Sequence, residues 1–392
     1  NSTDKANFIS YKKQQGKCLH NLTTFDALDI HFNHDLQHAH GWKSWPSAYQ
    51  TPDSEAVREF QQHHAHDIDF LAYLQWQAHQ QLLIVTHTAQ QQGMPIGLYL
   101  DLAVGCDGSS VDVWSNKEVY VANAGLGAPP DAMNTLGQNW GLTPMNPVTL
   151  YEQAYQPLIS ALRSNMQYAG ALRIDHILGL IRQYWIAPNM QPHEGVYITY
   201  PLDDILRIIA LESRRNKCIV IGENLGTAPP GSGERIENAG LLSYKVLFFE
   251  RWESGLFKRP TSFPQQSMVT VSTHDLPTLA GWWLGRDLEW RQELALYPND
   301  EMGQTERNDR QTSRAQLLGA LQDINVINSE QLPEQSPAKM NGELSLATQK
   351  FLAQAPSHLQ LIPLEDTLEL VEQVNIPGTI DQHPNWQQKL PV

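Results

Sequence analysis

The feature of this sequence that most restricts its fold is a series of short apolar runs, each of which ends abruptly in a polar or acidic residue. Stretches with apolar residues at helical spacing separate these runs, as at 150–168, 203–216 and 346–354. Continuous apolar strands that alternate with helices predict a parallel sheet that is covered on both faces. The predicted strands are 95–104, 171–174, 218–221, 244–249, 268–272 and 359–364.

The polar ends of the predicted strands favour one α/β architecture over another. A (β/α)8 TIM barrel keeps its active site at the carboxyl ends of its strands, where this sequence places acidic residues. A doubly wound sheet is the alternative, which is weakened because no Gly-rich phosphate loop follows the first predicted strand. Six strands are two short of a closed barrel, and residues 1–92 show no buried strand. We therefore expect an incomplete barrel in which the first two strands are missing.

Two regions of the chain predict helices outside the alternating pattern. Apolar residues in 1–92 recur at a spacing nearer 3–4 than 2, which indicates helices. We interpret 1–92 as a helical subdomain inserted into the barrel, and 93–392 as the main part of the catalytic barrel. The stretch 285–345 is polar and interrupted by prolines, and it predicts a helical insertion between the last two strands.

The charge balance limits the classes of partner. Asp and Glu total 42 and Lys and Arg total 27, which gives a formal net charge of -15. Such a field repels phosphate backbones and anionic lipid, so we expect no nucleic acid and no membrane partner. Neutral sugars are compatible with it. No apolar run has the length of a membrane span and no signal-peptide core is present, so the expected location is cytoplasmic.

Three acidic residues, Asp175, Glu223 and Asp275, each follow a predicted strand. Cleavage of a glycosidic bond needs one carboxylic acid to protonate the leaving oxygen and one carboxylate that faces the anomeric carbon. Any one of these acids alone could be a polar loop start. The three together, with Arg173 and His274 beside them, favour catalysis. Arg173 lies two residues before Asp175, so in a strand its guanidinium is on the same side as that carboxylate.

Several long and distinctive segments occur in an order that is typical of one enzyme family. They are GLYLDLAVG (97–105), GAPPDAMNTLGQNWGLTPMNP (127–147), GALRIDHILGL (170–180), YPLDDILRIIALES (200–213), VIGENLGTAPP (220–230), YKVLFFE (244–250), STHDLPTLAGWW (272–283) and NIPGTIDQHPNW (375–386). The sequence resembles the amylomaltases, which are 4-α-glucanotransferases of glycoside hydrolase family 77 in the α-amylase superfamily. The resemblance implies retaining transfer of α-1,4-glucan segments between maltooligosaccharides and glucose.

The resemblance also implies roles for individual residues. Asp175 matches the nucleophile, Glu223 the general acid/base and Asp275 the transition-state stabiliser. Gln138 and Trp140 belong to a GQNWG loop that in the family lies over the bound glucan and favours sugar over water as the acceptor. The remaining expected substrate contacts are Asp101, Arg173, His176, His274, Glu250 and Asn375. No metal, nucleotide or flavin is expected, and the cysteines show no metal-ligand spacing.

The sequence departs from the family in two respects. Asn224 stands where the family has Asp in GEDLG, and the family's chain begins earlier and continues further than this one. A barrel that lacks two strands exposes sheet edges, so we expect self-association or low stability. Two alternatives to the transferase stay open at this point. They are an α-amylase-type glucan hydrolase, which uses the same carboxylates, and a catalytically inert glucan-binding fragment.

Overall fold

The computed structural model of the chain describes residues 2–33, 41–130, 136–226, 229–297, 299–327 and 338–391. The chain forms two compact units, Asn1–Val220 and Ile221–Val392. Parts of two motif segments, residues 131–135 and 227–228, lie outside the described residues.

The first unit begins with helices. Aromatic side chains join α1 to α3, since the ring of Phe8 lies 5.6 Å from that of Trp76 and the ring of Tyr11 lies 5.0 Å from that of His79. Ser54 caps α2 by accepting a hydrogen bond from the backbone N–H of Val57 at 3.2 Å. The boundary predicted at 92/93 between a helical subdomain and the barrel stays a prediction. These helices are α1 (Ser2–Phe32), α2 (Glu55–His63) and α3 (Ala65–Gln91).

Two parallel strands form the buried sheet of the first unit. Strand β1 (Leu98–Leu102) pairs with β6 (Ala169–Ile174), which is almost wholly buried and, apart from Arg173, apolar. Two backbone segments approach each other very closely at Gly170, where an added Cβ atom would lie 1.8 Å from the carbonyl oxygen of Ile96. Only glycine allows this approach. The remaining helices of the unit are α4 (Val111–Ser115), α5 (Pro147–Glu152), α6 (Gln156–Met166) and α7 (Leu202–Asn216).

The first unit also holds short antiparallel strands that the sequence did not predict. They form a sheet in the order β4-β3-β7-β8 and a separate pair of β2 with β5. Two reasons explain the omission: three of these strands have only two residues, and β8 is largely exposed, so none shows a buried apolar run. The strands are β2 (Cys106–Asp107), β3 (Gly125–Ala128), β4 (Gln138–Asn139), β5 (Leu142–Thr143), β7 (Arg182–Ile186) and β8 (Val196–Thr199).

The parallel strands of the second unit lie side by side in sequence order. Strand β10 pairs with the end of β9 on one side and with β11 on the other, and β11 pairs with β12. Each predicted strand is present, but three end earlier than predicted. Leu247–Phe249 forms a 3-10 turn after β10, a helix begins at Leu364 after β12, and β11 ends at Thr270. These strands are β9 (Ile219–Gly222), which crosses the boundary of the units, β10 (Leu242–Val246), β11 (Ser267–Thr270) and β12 (Leu359–Leu361).

α-Helices follow β9, β11 and β12 in the second unit, whereas only 3-10 turns lie between β10 and β11. The α/β class is confirmed. Within 285–345 the described residues form α10, α11 and the first turn of α12, whereas 298 and 328–337 lie outside the described residues. Across the described parts of the chain, no helix combines the length and apolar character needed to span a membrane. The helices are α8 (Ser232–Asn238), α9 (Leu279–Leu284), α10 (Arg286–Glu293), α11 (Asp300–Asp323), α12 (Gly342–Leu352) and α13 (Leu364–Thr367).

Candidate active site

A buried guanidinium links two carboxylates at the carboxyl ends of β1 and β6. Arg173 is only 5% exposed, and its Nη1 lies 2.8 Å from both carboxylate oxygens of Asp101. Its Nη2 lies 2.7 Å from Oδ1 of Asp175. The parallel register places Asp101 opposite Arg173, which explains why these side chains meet. Charge-assisted bonds of this kind hold both carboxylates in fixed positions.

The chain turns sharply directly after Asp175. The backbone N–H of Asp175 donates to the carbonyl of Leu102 at 3.0 Å, which extends the β1–β6 ladder by one residue. His176 then adopts a left-handed conformation with φ 45°, and a 3-10 turn follows over Ile177–Leu180. A non-glycine residue in this region is uncommon and is found more often at functional sites. Burial lowers the pKa of His176 below its ordinary 6.5, and the charge of Asp175 opposes that shift.

The GQNWG loop contacts the same histidine. The indole Nε1 of Trp140 donates to Oε1 of Gln138 at 3.0 Å, and the backbone N–H of Trp140 donates to the carbonyl of Leu126 at 2.8 Å. The Trp140 ring lies 5.3 Å from the His176 ring at a T-shaped angle. The structure therefore brings Gln138, Trp140 and His176 together, and their roles in sugar binding stay predictions.

A cavity of about 210 Å³ in the first unit borders Asp175 and His176. Most of its other lining side chains are apolar, among them Leu102, Leu162 and Ile174. Polar residues, among them Asp112, Tyr120 and Gln183, also line this cavity next to Asp175.

Glu223, the expected acid/base, follows β9 at the edge of the second unit. The side chain is 7% exposed, and its Oε1 accepts a short hydrogen bond from the backbone N–H of Leu225. The neighbouring Asn224 accepts a hydrogen bond from the backbone N–H of Tyr244 at 3.2 Å through Oδ1. This bond from β10 needs one acceptor oxygen, which Asp and Asn both supply. The amide at position 224 therefore keeps the contact that joins this loop to the next strand.

Asp275 lies in a second cluster, beyond the end of β11. Its Oδ1 accepts a hydrogen bond from Nδ2 of Asn375 at 2.7 Å, and its Oδ2 lies 3.1 Å from Nε2 of His274. The backbone N–H of Asn375 donates to the carbonyl of His274 at 3.1 Å. The carboxylate, imidazole and amide thus form one polar surface, and the side chains of His274 and Asp275 remain 30% and 36% exposed. Sugar hydroxyls can both donate to and accept from such a set.

Gln373 supports this cluster and was missed by the sequence reasoning. It is 7% exposed, and its Nε2 donates to the carbonyl of Asp275 at 3.0 Å and to the carbonyl of Asn375 at 2.6 Å. The side-chain amide of Gln373 therefore connects the backbones of Asp275 and Asn375, whose side chains are hydrogen-bonded to each other. Its position two residues before Asn375 is the signal that could have found it, because side chains two apart in an extended chain share a side.

Glu250 was expected to contact substrate and is found between two lysines. Its Oε2 lies 2.8 Å from Nζ of Lys258, and its Oε1 lies 3.8 Å from Nζ of Lys245. The backbone N–H of Lys258 also donates to the carbonyl of Glu250 at 2.9 Å. The carboxylate thus holds a turn after β10, and a role in sugar binding stays a prediction.

The three cysteines, Cys18, Cys106 and Cys218, are free thiols. Burial raises the pKa of Cys106 to about 11, so this thiol is a poor nucleophile at neutral pH. In the ranges that the structure describes, no group of three or more His, Cys, Asp or Glu side chains is arranged to hold a metal ion.

The family model for 4-alpha-glucanotransferase, glycoside hydrolase family 77, matches residues 1–392. The chain belongs to this family. It is 35% identical over 386 residues to a 4-alpha-glucanotransferase of Haemophilus influenzae, covering 98% of this chain and 55% of that protein. It is 32% identical over 387 residues to one of Mycobacterium tuberculosis, covering 98% of this chain and 52% of that protein. The chain thus spans about half the length of these curated relatives.

Solved structures of two amylomaltases are similar to this family member. The enzyme from Corynebacterium glutamicum has a TM-score of 0.83 at 29% identity, covering 98% of this chain and 52% of that one. The enzyme from Streptococcus agalactiae, solved in complex with acarbose, has a TM-score of 0.79 at 18% identity, covering 100% and 71%. At that identity the second likeness shows the fold alone. Together with the parallel strands, these structures fit an α/β barrel-like fold.

Proposed function

We propose that this chain carries the catalytic carboxylates of a 4-α-glucanotransferase, which moves α-1,4-glucan segments between maltooligosaccharides and glucose with retention of configuration. The observation that carries the proposal is Arg173, a buried cation that holds Asp101 and Asp175 at the carboxyl ends of two parallel strands. This is the edge at which (β/α)8 enzymes keep their reacting groups, and we propose that the parallel strands belong to a barrel of this type. Family membership supports the choice of reaction.

The first step in the proposed mechanism is displacement by Asp175. One of its oxygens attacks the anomeric carbon while the bond to the leaving O4 breaks, and Glu223 gives its proton to that oxygen. The product is a glycosyl-enzyme ester. Arg173 holds the attacking carboxylate by one oxygen at 2.7 Å, so the geometry of attack is set before the substrate binds.

The second step returns the sugar to an acceptor. Glu223, now ionised, takes the proton from the 4-hydroxyl of an acceptor sugar, and that oxygen attacks the anomeric carbon and releases Asp175. Two inversions give net retention. Asp275 stabilises the positive charge that develops on the sugar ring in both steps. Its contacts with His274 and Asn375 support a further role in binding sugar hydroxyls.

Transfer rather than hydrolysis is supported by the GQNWG loop. Trp140 lies against His176, the residue directly after the proposed nucleophile, and bonds to Gln138. We propose that this loop covers the bound glucan and favours sugar over water as acceptor. Maltooligosaccharides and glucose are the proposed donor and acceptor.

Incubation with maltotriose tests the activity. A ladder of longer maltodextrins together with glucose supports the transferase. Glucose and maltose alone would show a hydrolase, and an unchanged substrate would show an inert glucan-binding protein. Asp175→Asn should abolish turnover, whereas Asp53→Asn, at a carboxylate whose side chain is 72% exposed, should leave it unchanged.

Azide rescue with an activated donor, α-maltosyl fluoride, separates the roles of the two carboxylates. In Asp175→Ala, azide replaces the nucleophile and should give the β-glycosyl azide. In Glu223→Ala, the fluoride leaves without an acid, and azide then attacks the glycosyl-enzyme to give the α-glycosyl azide. The opposite pair of anomers would exchange the two assignments, and no azide product from either variant would reject both.

A further inference from the structure

Trp386 combines an exposed side chain with an unfavourable backbone. Its indole is 63% exposed, although tryptophan is usually well buried. Its φ is 59°, in the left-handed region that bulky residues rarely adopt and that costs free energy. The backbone N–H of Trp386 donates to the carbonyl of Val374 at 3.0 Å, which fixes the residue next to Asn375. The fold therefore keeps a strained conformation that presents an aromatic ring to solvent.

The residues before Trp386 hold the loop in this shape. Oδ1 of Asn385 accepts a hydrogen bond from the backbone N–H of Ile376 at 3.0 Å, and its Nδ2 donates one to Oγ1 of Thr379 at 2.8 Å. Its Oδ1 also lies 2.8 Å from Nδ1 of His383, which is 1% exposed. The His383 ring lies 4.8 Å from the Trp290 ring. Because several part-buried hydrogen bonds determine the loop, its strain persists in the folded state.

The indole lies beside a residue that is expected to bind sugar. The ring of Trp386 is 5.0 Å from the ring of His274, at an angle of 48°. On another edge, Nε2 of His274 lies 3.1 Å from Oδ2 of Asp275. The hydroxyl-binding groups of this cluster and an exposed aromatic face are therefore adjacent on the surface of the second unit.

We propose that Trp386 is a glucan-binding residue, and that its exposed indole face stacks on the apolar face of a glucose ring held by His274 and Asp275. A pyranose ring carries hydroxyls around its edge and C–H groups on its faces. Polar groups at one side and an aromatic platform beside them match both parts of the ring. This inference rests on the proposed function, since it names a further contact for the same substrate class.

Binding of maltohexaose, measured by titration calorimetry on Asp175→Asn protein that cannot turn the sugar over, tests the proposal. Trp386→Asn removes the ring and suits a left-handed backbone, so its melting temperature should equal or exceed that of the parent. Its dissociation constant should rise about fivefold to tenfold, as expected for the loss of one stacked aromatic contact. Trp386→Phe keeps an aromatic face and should stay within about threefold of the parent.

The matched control is Tyr151→Ala, which removes a side chain of similar exposure, 62%, from helix α5 and should leave binding unchanged. Equal affinity of Trp386→Asn and its parent overturns the proposal while the transferase stands. The proposal is also overturned if both Trp386 variants lose binding only when they lose their folded structure. If the unmodified chain neither binds maltohexaose nor converts maltotriose, the proposed function and this inference fail together.

Discussion

The contacts of Arg173 in the candidate active site follow partly from its position in the sequence and partly from strand pairing. The spacing of two residues from Asp175 places both side chains on one side of a strand. The second carboxylate, Asp101, comes from β1 and lies 72 residues earlier in the chain. Its contact depends on the register of the two strands, which pairs Asp101 with Arg173. A five-donor planar guanidinium can bond to both carboxylates at once, which an ammonium cannot do with the same geometry.

Replacement of Arg173 by Lys should lower kcat for maltotriose disproportionation by about a hundredfold or more, because misplacement of a reacting group by 1 Å can cost that much. The charge is kept, so the loss would report on position. Steady-state kinetics measure it. Arg207→Lys is the control, since that side chain is 77% exposed and pairs only loosely with Asp204 at 3.3 Å. A loss below about threefold in Arg173→Lys would contradict the positioning role.

His176 should make the folded state less stable in mild acid. Its pKa is lowered below 6.5 by burial, so the unfolded chain takes up a proton more readily than the folded chain does. Above about pH 7 both states are neutral at this residue, and as the pH falls towards about 5 the stability decreases. His176→Gln should therefore lose less stability than the unmodified chain between these pH values, as measured by urea midpoints.

The control for this pH series is His66→Gln, because the side chain of His66 is 98% exposed. It should follow the unmodified chain at each pH. Equal pH dependence of His176→Gln and the unmodified chain would show that burial of His176 does not couple its protonation to folding.

At the scale of elements, helix α9 is tied to the segment that follows β12. Oδ1 of Asp366 accepts a hydrogen bond of 2.7 Å from the backbone N–H of Leu279, the first residue of α9. Oγ1 of Thr278 caps the same helix and donates to the carbonyl of Leu370 at 2.6 Å. These bonds join the loop that carries Asp275 to the chain that leads to Asn375. The candidate donor-sugar contacts are thus held by two helix ends as well as by Gln373.

Asp366→Asn should stabilise the protein above pH 6. Asp366 is 2% exposed, and no hydrogen-bond donor of the described residues contacts its Oδ2. Burial raises its pKa to about 6, with a smaller contribution from the charge of Glu365. The stability that this group contributes is fully present below about pH 4 and is lost as the pH rises to about 6. The amide keeps the bond to Leu279 without the buried charge, so at pH 8 a gain of about 1–2 kcal/mol is expected.

Thermal or urea unfolding across pH 4 to 8 measures this difference, which should shrink as the pH falls. Glu365→Gln removes a neighbouring charge from the same helix and should keep most of the pH dependence. Destabilisation of Asp366→Asn at pH 8 would show that the ionised carboxylate has a partner that compensates its burial.

The elements themselves were predictable to different degrees. All the predicted parallel strands are present, because a strand buried on both faces must be apolar at every position. The short antiparallel strands β2–β5, β7 and β8 carry no such run, so the apolar pattern of the sequence does not reveal their pairing. The GQNWG loop owes its shape to that sheet, in which Ala128 pairs with Gln138. Periodicity alone could not find it.

At the scale of the whole molecule, the net charge of -15 and the proposed neutral substrate lead to a prediction about salt. A neutral glucan is not steered by the protein's field, so KM for maltotriose should change less than about twofold between 20 and 500 mM NaCl. Initial rates over this range measure it. A steep dependence would indicate a charged ligand or a salt-sensitive conformation. Maltotriose phosphorylated at its reducing end is a useful comparison, since repulsion should raise its KM at low salt.

The sequence by itself predicted the α/β class and the six parallel strands, because these depend on local apolar runs. Its motif segments carried the resemblance to the family, and that resemblance implied the candidate carboxylates. Only the tertiary structure decided which groups meet. Residues far apart in the chain meet in the pairing of Asp101 with Arg173, the bridge by Gln373, the bond of Asp366 to Leu279 and the position of Trp386 beside His274. Such contacts follow from strand register and loop packing, which no local pattern encodes.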